Sequence, residues 1–245
     1  PNDVRCIALN AEGSVYIGTG NAGLFKKTGN NWIFYNTGNS SIPGNAVQSL
    51  EVDEHDHVWV GTTTGLGQLT ENAWTVYNTQ NTRGPGPFTN SLAGQLIDQN
   101  GNHWLLANPG NISKYDGTNW VHYNATNSPV PLTALTAIAE DISGNIWVGT
   151  VNAGLLRFDG SGWTIFNTGN SGIRENRITS IACNSQGKIF CGTYQNGISI
   201  YDGNNWSYIP ALSESLPCKY VNTLYIDHQQ HLWVGSADNG ISYYD

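Results

Sequence analysis

Charge is what this chain is shortest of. Asp, Glu, Lys and Arg make up 11% of its 245 residues, where soluble globular domains carry about 25%. Exposed helix faces draw heavily on Lys and Glu, so their scarcity argues against helices. Ten Lys and Arg against eighteen Asp and Glu leave a net charge of −8. The basic residues form no stripe that could follow a phosphate backbone, which excludes nucleic acid as a partner. No apolar run approaches the roughly 20 residues of a membrane-spanning helix, so this domain is not expected to insert in a membrane. There is no secretory h-region either. Methionine is absent and the first residue is Pro1, so the chain is expected to be a processed or trimmed product. Cysteines number four. Cys6, Cys183 and Cys191 stand where other repeats carry Ser, Leu, Val or Ile, which suits buried thiols acting as small apolar groups. No CxxC or paired Cys/His spacing occurs, so neither a metal nor a cofactor is expected.

What is present is glycine, tyrosine and tryptophan, at 29, 12 and 9 residues, and they recur. A short motif appears as Tyr16-Ile17-Gly18-Thr19, Trp59-Val60-Gly61-Thr62, Trp147-Val148-Gly149-Thr150, Phe190-Cys191-Gly192-Thr193 and Trp233-Val234-Gly235-Ser236, with a degenerate copy at Trp104-Leu105-Leu106-Ala107. From Gly18 through Gly61, Leu106, Gly149, Gly192 and Gly235 the steps are 43, 45, 43, 43 and 43 residues. In each repeat, runs of aromatic and β-branched residues alternate with Asn, Asp and Gly turns, the pattern of antiparallel hairpins. An Asp or Asn precedes the first turn every time, as Asn10, Asp53, Asp98, Asp141, Asn184 and Asp227. Such a side chain can accept from the backbone two residues on and pin the turn.

A period near 43 with four strands is the length of one propeller blade. The fold expected is therefore all-β, a single six-bladed β-propeller. Its repeats lie at approximately 1–44, 45–88, 89–131, 132–174, 175–217 and 218–245. The strand-two aromatics, Tyr16, Trp59, Trp104, Trp147, Phe190 and Trp233, are expected to fill the space between blades. So are the strand-four tryptophans Trp32, Trp74, Trp120, Trp163 and Trp206. Only five fourth strands are present, because the sequence ends at Tyr244-Asp245. The last blade is expected to lack its fourth strand here, with the strand trimmed away or supplied from elsewhere.

The fourth repeat states the consensus most fully: Asp141-Ile142-Ser143-Gly144-Asn145-Ile146-Trp147-Val148-Gly149-Thr150, then Gly154-Leu155, Phe158-Asp159-Gly160, Trp163 and Phe166-Asn167. It resembles the two-component regulator propeller repeat of bacterial sensor proteins, and the resemblance extends over essentially the whole chain. It implies a periplasmic or extracellular ligand-sensing domain, often for oligosaccharides, acting upstream of a histidine kinase. The consensus residues are turn and core residues, so none carries over as a binding residue.

Recognition must then come from positions the repeat leaves variable. The strand 2–3 and strand 4–1 loops of a propeller gather at one face around the channel mouth, and binding groups concentrate on loops held by a rigid scaffold. The first loop set holds Asn21, Thr64, Asn108, Asn152, Tyr194, Gln195, Asn196, Asp238 and Asn239. The second holds Arg83, Phe88, Arg174 and Tyr220. A channel-side position after the first apolar residue runs Arg5, Gln48, Ala93, Thr136, Thr179, Asn222. From these, Arg5, Gln48, Tyr194, Asn196, Asn222 and Asp238 are the candidate ligand-binding residues. Amides, hydroxyls and aromatic faces suit an oligosaccharide or another small polar ligand. A protein partner, with the propeller as an interaction or structural module of a larger secreted protein, is the alternative. A propeller lyase is more remote, since it would need a His and Glu pair with a metal at the channel mouth, and no such pair is visible. The cluster Asp53, Glu54, His55, Asp56 and His57 falls in one hairpin turn and reads as solvated. Glu51 and Glu140 stand out because they break small or apolar positions of the first strand. No catalytic residue is assigned and no enzyme is expected.

Overall fold

The computed structural model describes residues 3–71, 73–80, 87 and 89–244. Every regular element among them is a strand. The chain packs as two compact units, Pro1–Tyr123 and Asn124–Asp245. In the first, β1 (Val4–Leu9), β2 (Val15–Thr19), β3 (Leu24–Thr28) and β4 (Asn31–Tyr35) form one sheet. A second sheet holds β5 (Val47–Val52), β6 (Val58–Thr62), β7 (Leu66–Thr70) and β8 (Ala73–Tyr77). The third holds β9 (Leu92–Ile97), β10 (His103–Ala107), β11 (Asn111–Tyr115) and β12 (Trp120–Tyr123). The second unit continues with β13 (Leu135–Glu140), β14 (Ile146–Thr150), β15 (Leu155–Phe158) and β16 (Trp163–Phe166). Next come β17 (Ile178–Cys183), β18 (Ile189–Thr193), β19 (Ile198–Tyr201) and β20 (Trp206–Ile209). A three-stranded sheet closes the series, with β21 (Val221–Ile226), β22 (Leu232–Ser236) and β23 (Ile241–Tyr244). This is the all-β, six-bladed propeller that the repeats lead one to expect, with the last blade one strand short.

The turn acid does more than pin its own turn. In the fourth blade one oxygen of Asp141 accepts the backbone N–H of Ser143 and Asn145, at 2.9 and 3.0 Å. The other takes the side-chain amide of Asn145 and the indole N–H of Trp147, both at 2.8 Å. The same carboxylate-to-indole bond joins Asp53 to Trp59, Asp98 to Trp104 and Asp227 to Trp233. Where the turn residue is Asn, the ring opposite is Tyr16 or Phe190, neither of which carries an indole donor. The side chain at the first turn and the ring of the second strand thus go together. Burial works to raise the Asp141 carboxyl. Hydrogen bonds from Asn145 and Trp147 and from the backbone of Asn145 and Ser143 outweigh it and hold the acid below its usual range.

The Gly-Thr pair has two separate jobs. A Cβ on Gly192 would lie 2.6 Å from Val221 of the next blade, so glycine is needed where the following first strand comes close. The threonine hydroxyl then closes the strand 2–3 turn. Thr193 donates to Gly197 O at 2.8 Å and accepts from Asn196 N at 3.1 Å, and Thr19, Thr62 and Thr150 repeat the arrangement. All four cysteines are free thiols. Burial pushes Cys6 and Cys183 up to about 12, which suits inert core residues.

The inter-blade aromatics follow a direction. Strand-two rings pack forward: Trp59 clusters with Leu92 and Leu105, and Trp147 with Ile178 and Ile189. Strand-four rings pack backward, Trp74 edge-on to Tyr35 at 5.7 Å and Trp206 against Phe166 at 5.9 Å. This corrects the expectation for two of them. Trp32 is 54% exposed and Trp233 39% exposed. Both stand on the terminal blades of the series, Trp32 on the first and Trp233 on the sixth.

Candidate functional site

The variable position after the first apolar residue of each blade has a backbone cause. Every first strand slips register there, between Val4 and Cys6, Val47 and Ser49, Leu135 and Ala137, Ile178 and Ser180, and Val221 and Thr223. In the third blade Leu92 and Gly94 face adjacent residues of β10, which leaves Ala93 as the extra one. A bulge residue is left out of the ladder and its side chain is re-aimed. Pairing therefore places no demand on Arg5, Gln48, Ala93, Thr136, Thr179 or Asn222, and these positions are free to vary. Arg5 and Gln48 belong to the first unit. Arg5 forms an ion pair with Asp3 at 2.8 Å, both side chains about half exposed. Gln48 is half-buried and Asn222, in the second unit, is exposed. Arg83 and Phe88 lie outside the described residues.

Most of the asparagines in the strand 4–1 loops turn out to be structural. Asn36 Oδ1 accepts from Gly38 N while its own N–H bonds Asn39 Oδ1, and Asn167 with Gly169 and Asn170 does the same. Asn45 and Asn176 each accept from a threonine N–H eight residues back. Recurring turn chemistry of this kind holds loops and leaves little for recognition.

One place departs from it. In the second unit the Tyr194 and Tyr220 rings meet with centroids 5.0 Å apart, and the Arg177 guanidinium sits 3.6 Å from the Tyr194 ring centre. Glu175 reaches across to the neighbouring loop, where one carboxylate oxygen accepts the N–H of Gln195 and Asn196 and the Asn196 side-chain amide. Asp238 accepts from Lys219 N at 2.9 Å and Tyr220 N at 3.4 Å, tying the next loop pair in the same way. Beside them a cavity of about 220 Å³ is lined by Arg174, Gln195, Asn196, Tyr208, Pro210 and Ala211, with the Arg174 guanidinium 3.8 Å from the Tyr208 ring centre. The structure thus brings Tyr194 and Tyr220 into contact and fastens Asn196 and Asp238 into the loops that carry them. Glu175 and Arg177 escaped the sequence reading. Their signal was a pair of charges in a loop whose counterparts, such as Gly44-Asn45-Ala46, carry none.

The acidic turn of the second blade is a local network. His57 Nδ1 lies 3.0 Å from Asp53 Oδ2, and the His55 and His57 rings stack with centroids 5.7 Å apart. Among the described residues no group of three or more His, Cys, Asp or Glu is placed to hold a metal ion.

Residues 130–152 and 215–238 match the family model of the two component regulator propeller. Each stretch spans the first two strands of its blade. No curated protein matches the chain. Among solved structures, a chain assigned as the extracellular domain of a hybrid two-component system from B. thetaiotaomicron aligns at TM-score 0.63 and 17% identity. That alignment covers all of this chain and 40% of the other. Virginiamycin B lyase from Staphylococcus aureus aligns at TM-score 0.76 and 15% identity, covering 99% of this chain and 84% of the lyase. PorZ, a surface component of the type-IX secretion system of Porphyromonas gingivalis, aligns at 0.75 and 16%, covering 99% and 38%. At these identities the likeness shows the propeller fold. This chain spans about two-fifths of the length of the two-component extracellular domains it matches. No helix among its described residues is long and apolar enough to cross a membrane.

Proposed function

We propose that this propeller is the non-catalytic, ligand-binding part of an extracellular or periplasmic sensor. Its ligand is an oligosaccharide held by the strand 2–3 and 4–1 loops of the second unit. The observation that carries the reading is the tyrosine pair Tyr194–Tyr220 with Arg177 against it, set among loops that Glu175 and Asp238 fasten. None of these residues belongs to the repeat. A sugar offers apolar C–H faces that pack on aromatic rings and hydroxyls that pair with amides and guanidinium groups. Loops already tied to one another need little further ordering on binding, which conserves affinity. The matched regulator-propeller repeats and the fold shared with two-component extracellular domains support sensing.

A glycan array followed by calorimetry tests this. The expected result is saturable binding of at least one oligosaccharide, weakened about tenfold or more in Tyr194→Ala and Tyr220→Ala, as truncation of a central aromatic anchor predicts. Binding that is absent throughout, or equal in wild type and both variants, would overturn it.

A further inference from the structure

Two consensus positions are broken on facing sheets of the first unit, and they border one cavity. The residue of strand one that pairs with the strand-two aromatic is Ala8, Leu96, Ala139, Ala182 or Tyr225 in five blades, and Glu51 in the second. Cross-strand partners share a sheet face. Glu51 therefore sits on the Trp59 face, which packs forward onto the third blade. The residue preceding that aromatic is Val15, Val58, Ile146, Ile189 or Leu232, and in the third blade it is His103. A cavity of about 390 Å³ is lined by both, together with Trp59, Ile97 and Tyr115.

His103 is 2% exposed, and neither ring nitrogen has a hydrogen-bond partner. Its ring stands edge-on to Trp59 at 4.3 Å between centroids. Burial drives its pKa down to about 3, so the imidazole is neutral and carries one accepting nitrogen. Glu51 has no hydrogen bond or ion pair among the described residues, and burial alone pushes its carboxyl up to about 7. Unpartnered polar groups at two core positions cost stability wherever nothing satisfies them. Local rules broken without visible compensation mark functional places.

The other titratable groups on the cavity set the sign of what would satisfy them. Asp53, Glu54 and His55 face it from the second blade, and Asp98 and Tyr115 from the third. No Lys or Arg is among its described lining residues. Asp53 and Asp98 are already engaged by the indoles of Trp59 and Trp104, and the Glu54 and His55 side chains are largely exposed to solvent, so Glu51 and His103 are the unpartnered acceptors on the buried side of the cavity. We propose that this cavity binds a small protonated primary amine, its ammonium donating to the Glu51 carboxylate and to the accepting nitrogen of His103, and its carbon chain against Trp59 and Ile97. The site lies in a different unit from the loop cluster and does not depend on it.

The test uses n-butylamine hydrochloride, with 1-butanol as neutral counterpart, titrated into the full chain. The readouts are calorimetry and the Trp59 indole N–H resonance. The expected result is saturable amine binding that shifts the Trp59 signal, at least tenfold tighter than the alcohol, and tighter at pH 8 than at pH 6 as Glu51 ionises. Glu51→Gln should weaken the amine about tenfold or more, the usual worth of a charge-assisted hydrogen bond. His103→Leu restores the repeat's own residue type and keeps the fold, so it should abolish binding without unfolding the chain. Equal binding of amine and alcohol, no binding at any pH, or undiminished binding in a folded Glu51→Gln or His103→Leu would each overturn the assignment.

Discussion

Replacing Asp141 by Asn in the fourth blade removes one oxygen and sets an N–H₂ group where an acceptor stood. In the natural turn that oxygen receives the Trp147 indole and the Asn145 amide, both at 2.8 Å. Trp147 is 1% exposed, so its indole N–H would find no water in exchange. An unsatisfied buried donor costs about 1–3 kcal/mol, and the loss of charge assistance places this one toward the upper half. A destabilisation of about 2–3 kcal/mol corresponds to a melting point lower by roughly 5–10 °C for a chain of this size. Trp147→Phe loses packing area and the same hydrogen bond. The double variant leaves no indole to orphan, so it should fall short of the sum of the single costs by about 1–2 kcal/mol. The fifth blade supplies the control. It already has Asn184 opposite Phe190, and Asn184→Asp should bring no gain, because no indole is present to meet the new carboxylate. Urea unfolding at pH 7, followed by far- and near-ultraviolet signals, gives the five midpoints, wild type included. Coupling below about 0.5 kcal/mol, the ordinary limit of additivity, would refute the account of the turn acid.

Glu51 makes the pH dependence of stability unusual. Its carboxyl titrates near 7 when folded against an ordinary 4.5. The associated stability is complete below pH 4.5 and is lost as the pH rises through 7. Glu51→Gln, measured by urea unfolding, should therefore gain on wild type by about 2 kcal/mol between pH 4.5 and 8, a value reduced for the partial exposure of the group. His103, held down to about 3 by burial, contributes stability present above 6.5 and lost as the pH falls. It opposes Glu51 within the same window, so the difference between variant and wild type is the quantity to read. Gly197 has φ of +80°, and a Cβ there would stand 2.1 Å from Ile209 O. Gly197→Ala should cost about 2–3 kcal/mol, whereas Gly203→Ala, at φ +98° with open space around it, should cost about 1 kcal/mol.

How far the sequence carries can be judged from particular residues. The blades were legible because Trp-Val-Gly-Thr compresses three constraints into four residues: a gap-filling ring, a close inter-blade approach and a turn-closing hydroxyl. The turn acids were legible as turn pins. Their indole partners were not, because that link runs across the hairpin at a spacing of six residues and shows only once Asn10 and Asn184 are set beside Tyr16 and Phe190. The exposure of Trp32 and Trp233 was hidden for a different reason. Repetition says what a ring does in an average blade and nothing about the first and last blades of the series. In the loops the sequence singles out Tyr194 and names Tyr220 only as a loop residue, and it passes over Glu175 and Arg177, whose roles depend on reaching a loop some twenty residues away. Asn36, Asn45, Asn167 and Asn176 of the strand 4–1 loops are spent on their own turns. Glu51 was visible as a break in pattern. His103 could have been found in the same way, by aligning the residue before each strand-two aromatic.

The proposed function divides the chain in two: recurring residues hold the blades, and the residues outside the repeat around Tyr194 and Tyr220 are assigned to ligand recognition. Hydrogen exchange of the full chain, with and without the oligosaccharide selected on a glycan array, tests that division directly. Protection is expected at residues 193–197 and 219–222, with the strand 1–2 turns of every blade unchanged. Protection confined to those turns or to the first unit, with residues 193–197 and 219–222 exchanging as before, would contradict it.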